Sequence, residues 1–102
     1  MSKKNNNLPP VHPGEILRED LMKPLELTIS GLARELKIPA ARMSEIVNGR
    51  RSVNADAALR LSRYFGNTPE FWINLQATYE LRVTAQASGS RIEREVRPRR
   101  AA

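Results

Sequence analysis

Apolar residues recur along this chain at helical spacing and nowhere alternate convincingly as they would in a strand. Ile16, Leu17 and Leu21 share one side of a helix. Pro13 suits its first turn, where a missing N–H costs nothing, and Pro24 ends it. The pattern predicts a first helix over residues 13–23. Thr28 can cap a second, over 29–36, whose inner face carries Leu32, Ala33 and Leu36. Pro39 holds Ile38 in extended geometry, so that helix stops there. A third spans 39–47 with Met43, Ile46 and Val47 inward. Asn48-Gly49 terminates it, because both residues tolerate left-handed backbone. Asn54 caps a fourth, 55–65, with Ala58, Leu61 and Phe65 inward and Gly66 at its end. Thr68-Pro69-Glu70 gives a fifth, 69–85, its cap, its first-turn proline and an acid that suits the helix dipole.

The expected fold is therefore all-α, a five-helix domain over residues 12–86. Residues 1–11 are polar and proline-bearing and read as a disordered arm. Residues 87–102 are arginine-rich around Ser-Gly-Ser and read as a flexible basic tail. No internal repeat is visible.

Helices two and three have the form of a helix-turn-helix: two short helices, a tight turn, and an amphipathic second member. Ala33 is small where the helices must cross, and Ile38 supplies the buried aliphatic of the turn. With Met43, Ile46 and Val47 inward, Ala40, Ala41, Arg42, Ser44 and Glu45 fall on the opposite face and at the N-terminal end. Those five are the candidate base contacts in a DNA major groove. Arg42 could donate to guanine or phosphate, and Ser44 could bond either. The alanine methyls suit thymine methyls, and Glu45 could accept from cytosine. Thr28, Asn48, Arg50 and Arg51 are the candidate phosphate contacts.

Charge fits that reading. The net charge of +6 favours a polyanionic partner. The distribution is uneven. Residues 15–26 hold four acids (Glu15, Glu19, Asp20, Glu26) against two bases, whereas residues 87–102 hold five arginines against two glutamates. The arginines from Arg91 to Arg100 could follow DNA, contact a protein partner, or keep the chain soluble. An RNA-binding or protein-interaction module would also explain the charge. RNA recognition usually employs exposed aromatics, however, and the few here fall at core or dimer positions.

The fifth helix is apolar on more than one side, with Phe71, Trp72, Leu75 and Tyr79 prominent. A chain this small can hardly bury it all round, so these four are the candidate interface of a homodimer, which would present two recognition helices to a palindromic site. Enzymatic chemistry is not expected. There is no cysteine and only one histidine, His12, to which a surface or capping role is assigned. No metal site, cofactor or catalytic residue is expected. No apolar run is long enough to cross a membrane, and the N-terminus lacks the apolar core of a secretory signal. A bacterial cytoplasmic, nucleoid-associated location is the expectation.

Four segments together resemble the HigA-type antitoxins, members of the repressor-like helix-turn-helix group. They are HPGEILRE (12–19), GLARELKIPAARMSEIVNGRR (31–51), DAALRLSRYFG (56–66) and TPEFWINLQATYEL (68–81). The helix-turn-helix part is generic; HPGEIL upstream with PEFWINLQ downstream is more specific. The resemblance implies a dimeric DNA-binding fold, repression of the chain's own operon, and neutralisation of a small mRNA-cleaving RNase of the HigB type. Glu15, Glu19 and Asp20 are the candidate surface for that toxin, since an RNase is expected to be basic. By position, Ala40, Ala41, Arg42, Ser44 and Glu45 fall where the family meets DNA, and Asn48 at a phosphate contact. Three positions depart from the group's pattern. Lys37 stands at a turn position commonly glycine, Pro39 at a common Ser/Thr cap, and Ile29 at a common phosphate-contacting glutamine. The alternative is a stand-alone helix-turn-helix regulator or phage-type repressor without a toxin.

Overall fold

The structure, a computed structural model, describes residues 9–100. Most of the arm expected over residues 1–11, and the end of the tail, lie outside the described residues. Among these, all regular structure is helical. Helix α1 begins as an α-turn, Pro13–Ile16, and continues as a π-segment, Leu17–Met22. Helices α2 (Ile29–Leu36), α3 (Ala40–Val47), α4 (Ala55–Phe65) and α5 (Pro69–Glu95) follow.

Local chemistry explains most of these boundaries. Four helices are opened by a side chain that accepts a hydrogen bond from a backbone N–H of the first turn. His12 accepts from Gly14, Thr28 from Gly31, Asn54 from Ala57 and Thr68 from Phe71. Such a cap contributes roughly 1 kcal/mol. Helix α3 has none, because Pro39 stands at its cap position; the Pro39 carbonyl accepts the Met43 N–H at 2.9 Å.

The C-terminal ends are equally well defined. Lys37 takes a left-handed conformation at φ 58°, while the Ile38 N–H bonds the Ala33 carbonyl at 3.0 Å and the Lys37 N–H the Arg34 carbonyl at 3.4 Å. This is the paired-bond ending that usually employs glycine, here occupied by lysine. It turns Ile38 inward, leaving it 5% exposed. Helix α3 ends the same way at Gly49, φ 77°: Gly49 N–H bonds Ile46 O and Arg50 N–H bonds Glu45 O.

One core runs through all five helices. Leu17 and Met22 of α1, Leu32, Ala33 and Leu36 of α2, and Met43, Ile46 and Val47 of α3 are buried. They join Ala57, Ala58 and Leu61 of α4 and Trp72 of α5. Ile38 and Val53 seal the connections. Val53 donates its N–H to the buried Gln76 side chain at 2.8 Å, which fastens the α3–α4 loop to α5.

Two expectations are corrected. The inner face of α1 is Leu17 and Met22, with Ile16 and Leu21 only half-buried. In the π-segment the Lys23 N–H reaches back five residues to the Arg18 carbonyl, and that wider turn brings Met22, not Leu21, into line with Leu17. Helix α5 does not stop at residue 85; it continues through Ser88-Gly89-Ser90 to Glu95. The residues expected to begin the flexible tail, 87–95, are helical. Neither serine nor glycine forbids a helix interior, and the only firm breaker in reach, Pro98, comes later. An exposed Arg91–Glu95 pair at 3.7 Å, one turn apart, adds slight support.

Candidate nucleic-acid interface

The α2–turn–α3 unit puts Met43, Ile46 and Val47 in the core and the rest of α3 outside. Ala40, Ala41 and Arg42 are exposed, Ser44 and Glu45 half-exposed, and Asn48 exposed just past the end. At helical spacing Ala41, Glu45 and Asn48 form one outward stripe, with Arg42 beside it. The alanines leave the N-terminal half of this face low. Arg42 has no carboxylate partner among the described residues, so its guanidinium is open to a ligand.

The other candidates cluster around the two ends of the unit. Thr28, at the start of α2, uses its Oγ1 as an acceptor for Gly31 at 3.0 Å; its hydroxyl hydrogen remains available beside a positive helix terminus. Asn48 donates one amide hydrogen to the Ser44 carbonyl at 2.8 Å and lies 3.3 Å from Ser44 Oγ, which fixes both side chains. Arg50 is exposed and has no carboxylate partner among the described residues. Arg51 differs: its Nε donates to Glu45 Oε1 at 2.6 Å. Glu45 Oε1 is therefore occupied, and Oε2 is the oxygen left to accept from cytosine.

What holds α3 in place is the part the sequence did not disclose. Helix α1 lies directly on its C-terminal turn. A Cβ at Gly14 would collide with the Ile46 carbonyl oxygen and lie 3.0 Å from that of Val47. Only glycine permits this approach. Arg18 Nη1 then donates to the Val47 carbonyl at 3.1 Å, while its Nε bonds Glu19. With Asn48, Gly49 and Arg50 taking the carbonyls of Ser44, Ile46 and Glu45, the C-terminal end of the recognition helix is fully hydrogen-bonded. Arg60 does the same for α2, donating to the Leu36 carbonyl at 3.0 Å while Asp56 holds its Nε. A glycine in the first turn of a helix, where propensity disfavours it, was the available sign of close approach.

His12 completes the arrangement. Its Nδ1 accepts the Gly14 N–H at 2.8 Å, and its ring meets Tyr79 edge-on at 4.9 Å. It is 8% exposed, so the capping role holds and the surface role does not. Burial pushes its pKa below the ordinary 6.5, against upward pulls from the Arg51 backbone carbonyl and the Glu80 charge.

The remaining candidates sort clearly by exposure. Trp72 is 0% exposed, with its indole N–H on Asn67 Oδ1 at 3.0 Å. It is a core residue with no surface to offer a second subunit, which corrects its assignment to an interface. Phe71 is exposed; Leu75 and Tyr79 are half-buried. These three line an apolar groove of about 320 Å³ together with Val11. On α1, Glu15 and Asp20 are exposed without a cation partner among the described residues. Glu19 is bound by Lys23 and by Arg18, each at 3.0 Å, and these hydrogen bonds hold its carboxyl below the usual range. The acidic face is thus weaker than its sequence suggests. Among the described residues, no group of three or more His, Cys, Asp or Glu could hold a metal ion, and no helix is long and apolar enough to cross a membrane.

Residues 19–73 match the family described as Helix-turn-helix. Over 81 residues the chain is 46% identical to virulence-associated protein I of Dichelobacter nodosus, which covers 79% of this chain and 75% of that protein. The solved structure of an addiction module antidote protein of the HigA family from Coxiella burnetii superimposes with a TM-score of 0.86 at 48% identity, over 90% of this chain and 100% of that one. The Pseudomonas aeruginosa antitoxin HigA, solved with the higBA promoter, superimposes with a TM-score of 0.85 at 43% identity, over 87% of this chain and 97% of that one.

Proposed function

We propose a function from the premise that this chain belongs to the helix-turn-helix family and, within it, to the HigA-type antitoxins. It binds operator DNA, represses the operon that encodes it, and binds and neutralises a small mRNA-cleaving toxin of the HigB type. The observation that carries the DNA half is the outward face of α3. This face bears an unpaired arginine over two alanines, on a helix whose C-terminal end is hydrogen-bonded throughout. Such a helix can be inserted in a groove as a rigid body. Several solved relatives of this fold carry their promoter or operator DNA.

On this reading Arg42 and Ser44, with the methyls of Ala40 and Ala41, face base edges. Thr28, Asn48 and Arg50 grip phosphate. Two copies pair through the groove lined by Phe71, Leu75 and Tyr79, and a palindromic operator then requires their α3 helices to lie about 34 Å apart, one helical turn of the duplex. Glu15 and Asp20 are the acidic residues left to meet a basic toxin. The chain acts by binding and not by catalysis.

The test has two arms. Co-expression with the product of the neighbouring gene should give a complex that co-purifies. Fluorescence anisotropy on the duplex upstream of the gene should show tight binding by the parent and a loss on the order of 100-fold for Arg42→Ala combined with Ser44→Ala. A double variant that binds as tightly and as selectively as the parent would overturn the assignment of α3 as the reading element.

A further inference from the structure

Arg50 and Arg51 are neighbours, both exposed, and the sequence treats them alike. The structure does not. Arg51 folds back six residues to Glu45, with Nε on Oε1 at 2.6 Å, and its side chain and that of Glu45 are 50% and 41% exposed. Glu45 stands on the outward stripe of α3, one turn from Ala41 and Arg42. The Arg51 guanidinium is therefore laid against the face that enters the groove, although its backbone is past the end of the helix.

We propose that Arg51 reads a guanine and that Glu45 positions it. The inference rests on the DNA-binding reading above and deepens it. Three features separate Arg51 from a phosphate contact. First, a carboxylate beside the guanidinium cancels most of its net attraction for a phosphate, and it would repel that phosphate at close range. It leaves the donor geometry untouched. Second, Nε is the group engaged, so the two terminal nitrogens remain as a fork of N–H donors. Guanine offers O6 and N7 as a matched pair of acceptors in the major groove, the arrangement that a fork of parallel N–H groups satisfies. Third, the backbone that carries Arg51 is held. Arg50 N–H bonds the Glu45 carbonyl at 2.8 Å and Gly49 N–H the Ile46 carbonyl at 3.1 Å. The Arg51 backbone carbonyl also interacts with the buried His12 ring. A long side chain with its root and its midpoint both fixed loses little freedom on binding. The low alanine end of α3 leaves room beside it for a base pair to approach. Glu45 is in this account the residue that aims Arg51, and not a reader of cytosine.

The experiment is an anisotropy scan of the upstream duplex in which each G·C pair is replaced in turn by A·T. The parent should lose roughly 5- to 100-fold at the pair read by Arg51, as for a bidentate contact. Arg51→Lys keeps the charge but not the fork. It should flatten the scan at that pair, leave the losses due to other contacts intact, and leave the slope of log affinity against log salt unchanged. Glu45→Ala should weaken discrimination at the same pair while raising affinity for unrelated DNA. Arg50→Ala should do the converse, lowering the salt slope by about 0.9 with no change in the scan. An Arg51→Lys scan identical to the parent's would overturn the proposal. So would an Arg51→Ala variant that loses a full unit of salt slope and binds all sequences equally weakly. A parent that does not bind the duplex defeats the repressor reading first, and is distinguishable from a parent that binds but is indifferent to Arg51.

Discussion

Three glycines lie within helices, and the structure assigns opposite signs to the same substitution at two of them, Gly14 and Gly89. Gly14 is buried in the first turn of α1, where an added Cβ would strike the Ile46 carbonyl oxygen. The obstacle is backbone, so no rotamer change relieves it; α1 and α3 must separate by roughly 1 Å. Overpacking of this kind costs about 1–3 kcal/mol, and the upper end applies where nothing flexible can yield. The better helix propensity of alanine returns at most about 1 kcal/mol. Gly14→Ala should therefore destabilise by about 2 kcal/mol, a fall in Tm on the order of 10 °C for a domain of this size. Gly89 has only the Ala85 Cβ within reach, at 4.0 Å, so alanine meets ordinary contact there. Gly89→Ala should stabilise by up to about 1 kcal/mol. Thermal and urea unfolding followed by circular dichroism measure both. DNA affinity measured well below the Tm gives a second readout for Gly14→Ala, since separation of α1 also draws Arg18 from the Val47 carbonyl. A Gly14→Ala protein whose Tm lies within about 2 °C of the parent's would refute the contact between α1 and the recognition helix.

Other outcomes follow from single residues. Lys37 stands in left-handed backbone at φ 58°, so Lys37→Gly should stabilise by roughly 0.5–1 kcal/mol; a lower Tm would mean that the lysine side chain matters more than the strain. His12 is held neutral by burial, so the unfolded chain takes up its proton first as pH falls through 6.5; stability present above that pH is lost toward the lower folded value. A Tm that declines between pH 7 and 5 in the parent but not in His12→Asn is expected, and an identical decline in both would exclude His12 as its source. Trp72→Ala should cost about 3–5 kcal/mol as a core truncation, whereas Phe71→Ala should change monomer stability little. If Phe71→Glu leaves the sedimentation mass of the parent unchanged at micromolar concentration, the groove on α5 is not where copies pair.

The sequence made the local decisions legible and the long-range ones not. Thr28, Asn54 and Thr68 announce helix starts because a cap acts within three residues, and Asn48-Gly49 announces an end for the same reason. The inward faces of α2 and α3 follow from spacing alone. The π-segment of α1 was hidden, since one residue of shift leaves no mark in a short apolar pattern, and so Met22 was missed. The dual identity of helix five was also hidden. Its apolar stripes overlap, and only the packed structure shows that Trp72 is interior while its neighbour Phe71 is outside. The contacts that settle the interface join residues far apart in the chain. Gly14 meets Ile46, Arg18 meets Val47, and Arg60 meets Leu36. Nothing near any of these residues names its partner. Arg51 and Glu45 are close in sequence, but their pairing depends on the turn at Gly49 reversing the chain.

Helix α5 extends over 27 residues, about 40 Å of axis, in a molecule whose longest dimension is 54 Å. From Glu80 onward nearly every side chain meets solvent. That outer stretch adds few tertiary contacts to its own backbone ladder, so its amides should exchange with deuterium early, long before those of Leu32 or Trp72. A protease offered the folded protein should cut first in that stretch and leave the rest of the domain intact.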